Sequence, residues 1–376
     1  LKNYFQTAGG DDERRRREKI TGKVLALDRT LEDTLPYLFT LLGIVELTST
    51  ISQMDAHIRK RRTLDAIKRL LVRESLNQPL IVIFEDLHWL DTETHTFLTL
   101  FGDSVAAAKI LLLTNYRPEY QNEWENKLFF SQLRLDPLRQ ADAEEMLTAL
   151  LGETVEVLRE APLQDLRRFI LEKTEGNPFF MEEIVQELRE QGFLSIGVPT
   201  QVQLPTELRL PPTVQGILAA RIDRLPAEEK AFLQMLSVIG DEVPLSLVRH
   251  VTGASDDDIH RSLAHLQTAE FIYEQPAFPE PEYTFKHALT QEVAYNSLLI
   301  EHRKALHERT AHAIESLFST SREDYYETLA HHYRCSGNTE KAIEYLHLAG
   351  QQAVRRSATA DAIEFLTSAL ALLNTL

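Results

Sequence analysis

The chain has 376 residues, room for about two to four domains at roughly 100–200 residues each. Its 43% hydrophobic and 26% charged content is that of an ordinary globular protein, and 14 Gly with 15 Pro exclude a collagen-like or linker-dominated chain. Lys and Arg total 40 against 57 Asp and Glu, so a net charge of −17 repels phosphate backbones and argues against broad nucleic-acid binding.

One cysteine, Cys335, excludes an internal disulfide and fits a reducing compartment; a cytoplasmic location is the expectation. The longest apolar runs, Leu80–Phe84 and Ile110–Leu113, fall far short of the ~20 residues of a membrane span, so no membrane partner is expected. The start, Leu1-Lys2-Asn3-Tyr4-Phe5-Gln6, has no signal-peptide pattern and begins with Leu, which suggests part of a longer polypeptide.

In chain order, DDERRRREK at 11–19 is the densest charge run. Acids flank its arginines, so a solvated helix face is favoured over a nucleic-acid arm. Residues 31–46 are apolar and read as helix. Over 57–76, Leu64, Ile67, Leu70 and Leu71 recur at helical spacing with Arg and Lys opposite, an amphipathic helix. PLIVIFED (79–86) reads as a strand buried on both faces. Asp91 is placed to cap a helix over 92–105, and KILLLTN (109–115) is a second buried strand, giving a parallel βαβ unit. SQLRLDPL (131–138) reads as a third strand.

Strands then stop. Residues 141–151 and 163–174 read as helices, with Gly176 as a left-handed cap. Asn177 caps the next helix, Pro178 stands at its first position, and Gly192 closes it. The proline-rich stretch 195–212 reads as a linker and domain boundary. Residues 213–300 combine short helices with a small hairpin, FIYEQ and YTFKH, which suggests a winged helix. From 301 onward the chain reads as helix. Ala330, Tyr333, Ala342, Leu346 and Ala349 match a tetratricopeptide helix pair; Ala362, Leu366 and Ala369 repeat part of it at an offset of 20 residues, not ~34, so a plain helical hairpin stays open. The fold class is α/β followed by all-α.

Glu85 and Asp86 end the first strand. They are either a Walker B pair, which holds Mg²⁺ and orients the attacking water, or two acids at a solvent-exposed strand end. Thr114, Asn115 and Arg117 follow KILLL at the corresponding edge of the second strand, where a polar group and a guanidinium can sense a γ-phosphate; the alternative is an arginine packed on Glu119 or Asp136. Together the two strand ends favour a nucleotide site. Other constellations are weaker. His307 and His312 are five apart and diverge on a helix, so no metal is expected from that pair. His287 and the His331-His332 pair read as partly buried or surface histidines, Cys335 as a packing residue, and Trp89 as packing under the acid pair or on the next helix.

The blocks IVIFEDLHWLDTET, ILLLTNYRPEY, QLRLDPL, EGNPFFMEEIVQ and FKHALTQEVAYNSLLIEHRKALHERTAHAIE resemble the predicted ATPases of the STAND and origin-recognition-complex-like AAA class. The resemblance is greatest to the branch fused to class III adenylate or guanylate cyclase domains, related to soluble adenylyl cyclase. It spans nearly the whole chain and is most specific in the DLHW and GNPFF blocks. It implies the C-terminal part of a parallel-sheet P-loop NTPase core over 1–140, a helical lid over 141–195, a winged-helix-like domain over 213–300 and tetratricopeptide-like helices over 301–376. By the same resemblance Glu85 and Asp86 are the Walker B acids on Mg²⁺, and Arg117 is the γ-phosphate-sensing arginine. Gly176, Asn177 and Pro178 form a lid motif whose proline borders adenine. The implied cofactors are ATP or ADP with Mg²⁺, and the implied behaviour is an ADP/ATP switch that alters what the helical tail presents to protein partners.

One departure matters. No G-x-x-x-x-G-K-[ST] occurs: Gly22-Lys23 lacks the upstream glycine and the following Ser or Thr, and Gly9-Gly10 runs into acids. Alone, these residues are expected to hydrolyse ATP weakly or not at all; the family's loop belongs to an earlier strand. The alternatives are an ATP-dependent transcription regulator of the same superfamily and a nucleotide-free scaffold.

Overall fold

The computed structural model of the chain describes residues 1–7, 11–44, 54–117, 119–120, 124, 127–151, 161–191, 211, 213–277 and 279–375, of which 161–165 by backbone alone. The 195–212 linker and Gly192 lie outside the described residues except for position 211.

The first part is helical. Helix α1 (Lys2–Phe5) precedes α2 (Glu13–Leu27), whose start is capped by Asp12. The arginine run lies on α2, and Arg14–Glu18 and Arg17–Glu13 pair one turn apart, as a solvated face requires. A 3-10 turn leads into α3 (Leu35–Leu41), and α4 spans Ala56–Asn77. Ile20, Val24, Leu38, Ile44 and Leu70 form the core among these helices.

Strand β1 (Leu80–Phe84), α5 (Thr92–Val105) and β2 (Ile110–Thr114) follow. The strands are parallel, with Leu80 opposite Ile110 and Phe84 opposite Thr114. Asp91 caps α5 by accepting from the Thr94 amide at 2.8 Å. Phe97 and Phe101 of α5 and Leu64, Ile67 and Leu71 of α4 pack on Leu80, Val82, Phe84 and Leu112.

Two expectations fail here. Neither strand is buried on both faces: side chains alternate, and Ile81 and Ile83 are 66% and 59% exposed, with Leu111 and Leu113 exposed beside them. A continuous apolar run is compatible with two covered faces, but α4 and α5 cover only one. Residues 131–138 form no strand; Leu133 and Leu135 are exposed, and among the described residues no strand pairs with this segment, without which extended chain cannot join a sheet.

Helices α6 (Gln140–Leu151), α7 (Ala161–Thr174) and α8 (Pro178–Glu190) share a core of Leu147, Leu166, Ile170, Met181, Ile184 and Leu188. Next come α9 (Val214–Arg224), α10 (Ala227–Ile239), β3 (Glu242–Pro244), α11 (Leu245–Thr252), α12 (Asp256–Thr268), β4 (Ile272–Gln275), β5 (Glu282–Phe285) and α13 (Ala288–Asn296). The hairpin expected over FIYEQ and YTFKH forms as antiparallel β4–β5, and β3 adds a third strand beside β5.

The tail is α14 (Ile300–Leu317), α15 (Tyr326–Ser336), α16 (Thr339–Arg356) and α17 (Thr359–Leu373). Successive helices pack on one another as tetratricopeptide-like hairpins. Ala330, Tyr333, Ala342, Leu346 and Ala349 are all buried, and at Gly350 an added Cβ would meet Leu366 at 2.7 Å. One core runs from Ile222 to Ala369, so the hairpin-bearing unit and the tail share their interior.

The tail also meets the first part. Lys2 and Arg16 pair with Asp324, at 3.2 and 3.5 Å, and Arg59 donates to the Ser357 hydroxyl at 2.8 Å. Acids crowd this contact. Asp361 is held above its ordinary pKa by burial, then by Asp91, Glu93 and Glu364, against the pull of Lys60. Glu327 is raised by burial, then by Asp361, against Arg356. An acid whose folded pKa is raised opposes folding when ionised. The penalty is full at neutral pH and relieved as pH falls through the raised values toward the ordinary range near 4. Asp361→Asn is therefore expected to stabilise the fold at pH 7 in low salt by a small margin, about 0.5 kcal/mol given partial exposure, read as a slightly higher melting temperature. The gain should shrink toward pH 4; a gain equal at both pH values would contradict it.

Candidate functional site

The two strand ends form one constellation. The β-ladder continues past Phe84: the Asn115 amide donates to Phe84 O at 3.2 Å and the Leu87 amide to Asn115 O at 3.0 Å. Between them, the Asp86 amide donates to Asn115 Oδ1 at 2.7 Å. Asp86 is left-handed, with φ 54°, a conformation that Asp tolerates better than most residues. This turn drops the chain into the short 3-10 turn Leu87–Trp89 and leaves the Glu85 and Asp86 side chains exposed. Asn115 is thus the brace of the acid turn. Thr114 is half-buried, opposite Phe84.

Arg117 is exposed, its guanidinium 5.5 Å from the centroid of the Trp89 ring. It rests on that ring rather than on Glu119 or Asp136, and Asp136 pairs with Arg134 at 2.9 Å. Trp89 is 69% exposed, with the His88 ring against it at 4.7 Å, so it is not packed under the acid pair. Its cation–π contact with Arg117 links the two strand ends. Sequence reasoning missed this role, although the H-W pair directly after the acids was visible. It also missed His88, whose two ring nitrogens are buried without a hydrogen-bond partner and whose Nδ1 lies 4.0 Å from an Asp86 oxygen.

Gly176, Asn177 and Pro178 sit elsewhere, at the junction of α7 and α8. Gly176 has φ +79°, its carbonyl accepts from the Leu138 amide at 2.8 Å, and an added Cβ would lie 2.4 Å from Leu138 O. Only glycine fits there. Asn177 caps α8 by accepting from the Phe180 amide at 3.1 Å, and Pro178 opens the helix. These contacts tie the tripeptide to Leu138 and α7 rather than to either strand. Gly176 borders a cleft of about 850 Å³ that Arg167 also lines, with Nε and Nη2 buried and unpartnered. Glu144, Glu145, Glu172 and Glu175 line the same cleft, and nothing in the sequence singled Arg167 out.

Chemically, the strand-end site offers two exposed carboxylates for a hard cation, a polar brace and a positioned guanidinium. Among the described residues, no helix is long and apolar enough to cross a membrane.

No family model matches the chain. An uncharacterized protein of Rhizobium meliloti (strain 1021) is 30% identical over 348 residues, which cover 91% of this chain and 32% of that protein. Among solved structures, the chain has a distant likeness to a signal transduction ATPase with numerous domains (STAND) that carries a tetratricopeptide repeat sensor, from Pyrococcus horikoshii. The TM-score is 0.45 at 13% identity, over 91% of this chain and 50% of that one. The chain thus spans about a third of the length of the curated relative it matches.

Proposed function

We propose that these residues form part of a nucleotide-responsive regulatory module, an ATPase-like switch that binds ATP or ADP with Mg²⁺. The observation that carries the reading is the braced acid turn: Glu85 and Asp86 at the carboxyl end of β1, fixed by Asn115 at the corresponding end of parallel β2, with Arg117 resting on the Trp89 ring. Carboxyl ends of parallel strands are where such sheets bind ligands. On this reading one carboxylate holds Mg²⁺, the other orients water, and Arg117 faces the γ-phosphate.

The reading requires a phosphate loop, which these 376 residues do not contain. It also requires a cover for the bare face of Ile81, Ile83, Leu111 and Leu113, which further strands and helices of a P-loop core would provide. The finer proposals are that α6 to α8 act as the nucleotide lid, that the β3–β5 unit acts as a winged helix, and that the intact polypeptide carries a nucleotide cyclase. They rest on the motif resemblance. The tetratricopeptide-like tail is the surface proposed for protein partners.

The test is nucleotide discrimination in the natural polypeptide that contains these residues. Arg117→Ala is expected to weaken ATP about tenfold or more while changing ADP little, because a γ-phosphate contact is absent from ADP. Equal losses for both nucleotides would remove the γ-phosphate role.

A further inference from the structure

His307 lies on α14, and His331 and Cys335 lie one turn apart on α15. One ligand atom from each, two imidazole nitrogens and the thiol sulfur, come within 4.8 Å of one another. The Cys335 sulfur is 3.8 Å from His331 Nε2. With Zn–S near 2.3 Å and Zn–N near 2.0–2.1 Å, tetrahedral ligands stand roughly 3.3–3.6 Å apart, so side-chain adjustments of about 1 Å close the set on one ion. We propose that His307, His331 and Cys335 form a zinc-binding site with its fourth position open.

Three further observations point the same way. His307 is 1% exposed, and its Nδ1 lies 2.8 Å from Nδ1 of His332, itself buried. When His307 donates in that contact, its tautomer is fixed with a lone pair on Nε2, the outer-shell arrangement that metal-bound histidines use. Nε2 is 2.9 Å from the Tyr295 hydroxyl, which the ion would displace toward the fourth position. Finally, His307 and His331 line a cleft of about 620 Å³, together with Tyr295, Glu292, Asp241 and Glu327, so water or a small ligand can reach the ion. Binding releases the thiol proton to solvent and leaves the sulfur as the thiolate ligand. The donor set, two nitrogens and one sulfur, suits zinc rather than magnesium or calcium. The ion would tie the first helix of the tail to the second at the floor of the cleft.

The test is titration of the reduced 376-residue chain with Co²⁺, followed by displacement with Zn²⁺. One ion per chain is expected, with a thiolate-to-cobalt charge-transfer band that Zn²⁺ abolishes. Cys335→Ser should remove the band, and His331→Ala should weaken binding about tenfold or more. Neither side chain is fully buried, so both variants should keep the helical circular dichroism of the parent. His312→Ala, on the exposed side of α14, should bind as the parent does. Absence of saturable cobalt binding, a band that survives Cys335→Ser, or binding indifferent to His331→Ala would each overturn the proposal. None of these outcomes depends on nucleotide.

Discussion

Arg221→Met is expected to destabilise the chain by about 3–5 kcal/mol, the cost of leaving a buried charge unpaired. The Arg221 side chain is 1% exposed and pairs with the equally buried Glu183. It also reaches Glu190 at 2.9 Å and the Ala269 carbonyl at 2.8 Å, and its guanidinium lies 4.7 Å from the centroid of the Phe271 ring. One guanidinium thus joins α8, α9 and the approach to β4. Methionine fills much of the volume but cannot satisfy the Glu183 carboxylate or the carbonyl. The double variant Arg221→Met/Glu183→Leu should recover much of the loss, because an apolar pair carries no buried charge. Denaturant unfolding measures both. A loss below about 1 kcal/mol in the single variant would contradict the role assigned to Arg221.

The largest functional effect is expected at the acid turn. In a natural polypeptide that carries a phosphate loop, Asp86→Asn or Glu85→Gln should slow Mg-ATP turnover about 100-fold or more, the usual cost of losing a positioned acid or base. Thermal stability should hold, since both side chains are exposed. Asn is the informative substitution at Asp86, because it tolerates the left-handed backbone as Asp does, whereas Ala would add strain unrelated to chemistry. Unchanged turnover in both variants would remove the acid-pair assignment.

The helices were legible because their apolar spacing is local. Asp91 and the 92–105 helix, the 57–76 stripe and the Gly176-Asn177-Pro178 stop and start all follow from short-range geometry. Burial was less legible. The run Leu80–Phe84 says that one face must be covered and nothing about what lies on the other. The alternation in 131–138 looks like a strand, but a strand exists only in a ladder with another, and among the described residues none pairs with it. At the site, the residue types at both strand ends were visible, whereas the Asp86–Asn115 brace and the Trp89 platform depend on the turn that follows β1. The His307, His331 and Cys335 cluster stayed hidden because its members come from two helices. The His-x-x-x-Cys spacing on α15 was the local clue, yet Cys335 considered alone looked like packing. Arg221 carried no signal, since an arginine in an amphipathic helix is ordinarily on the surface.

On the proposed reading, the braced acid turn belongs to a nucleotide site. Calorimetric titration of the natural polypeptide with ATP and ADP, with and without Mg²⁺, tests it most directly. Saturable binding strengthened by Mg²⁺, and weakened for ATP by Asp86→Asn, is the predicted result. Absence of saturable binding at millimolar nucleotide in a folded protein would remove the nucleotide site and leave a helical scaffold in its place.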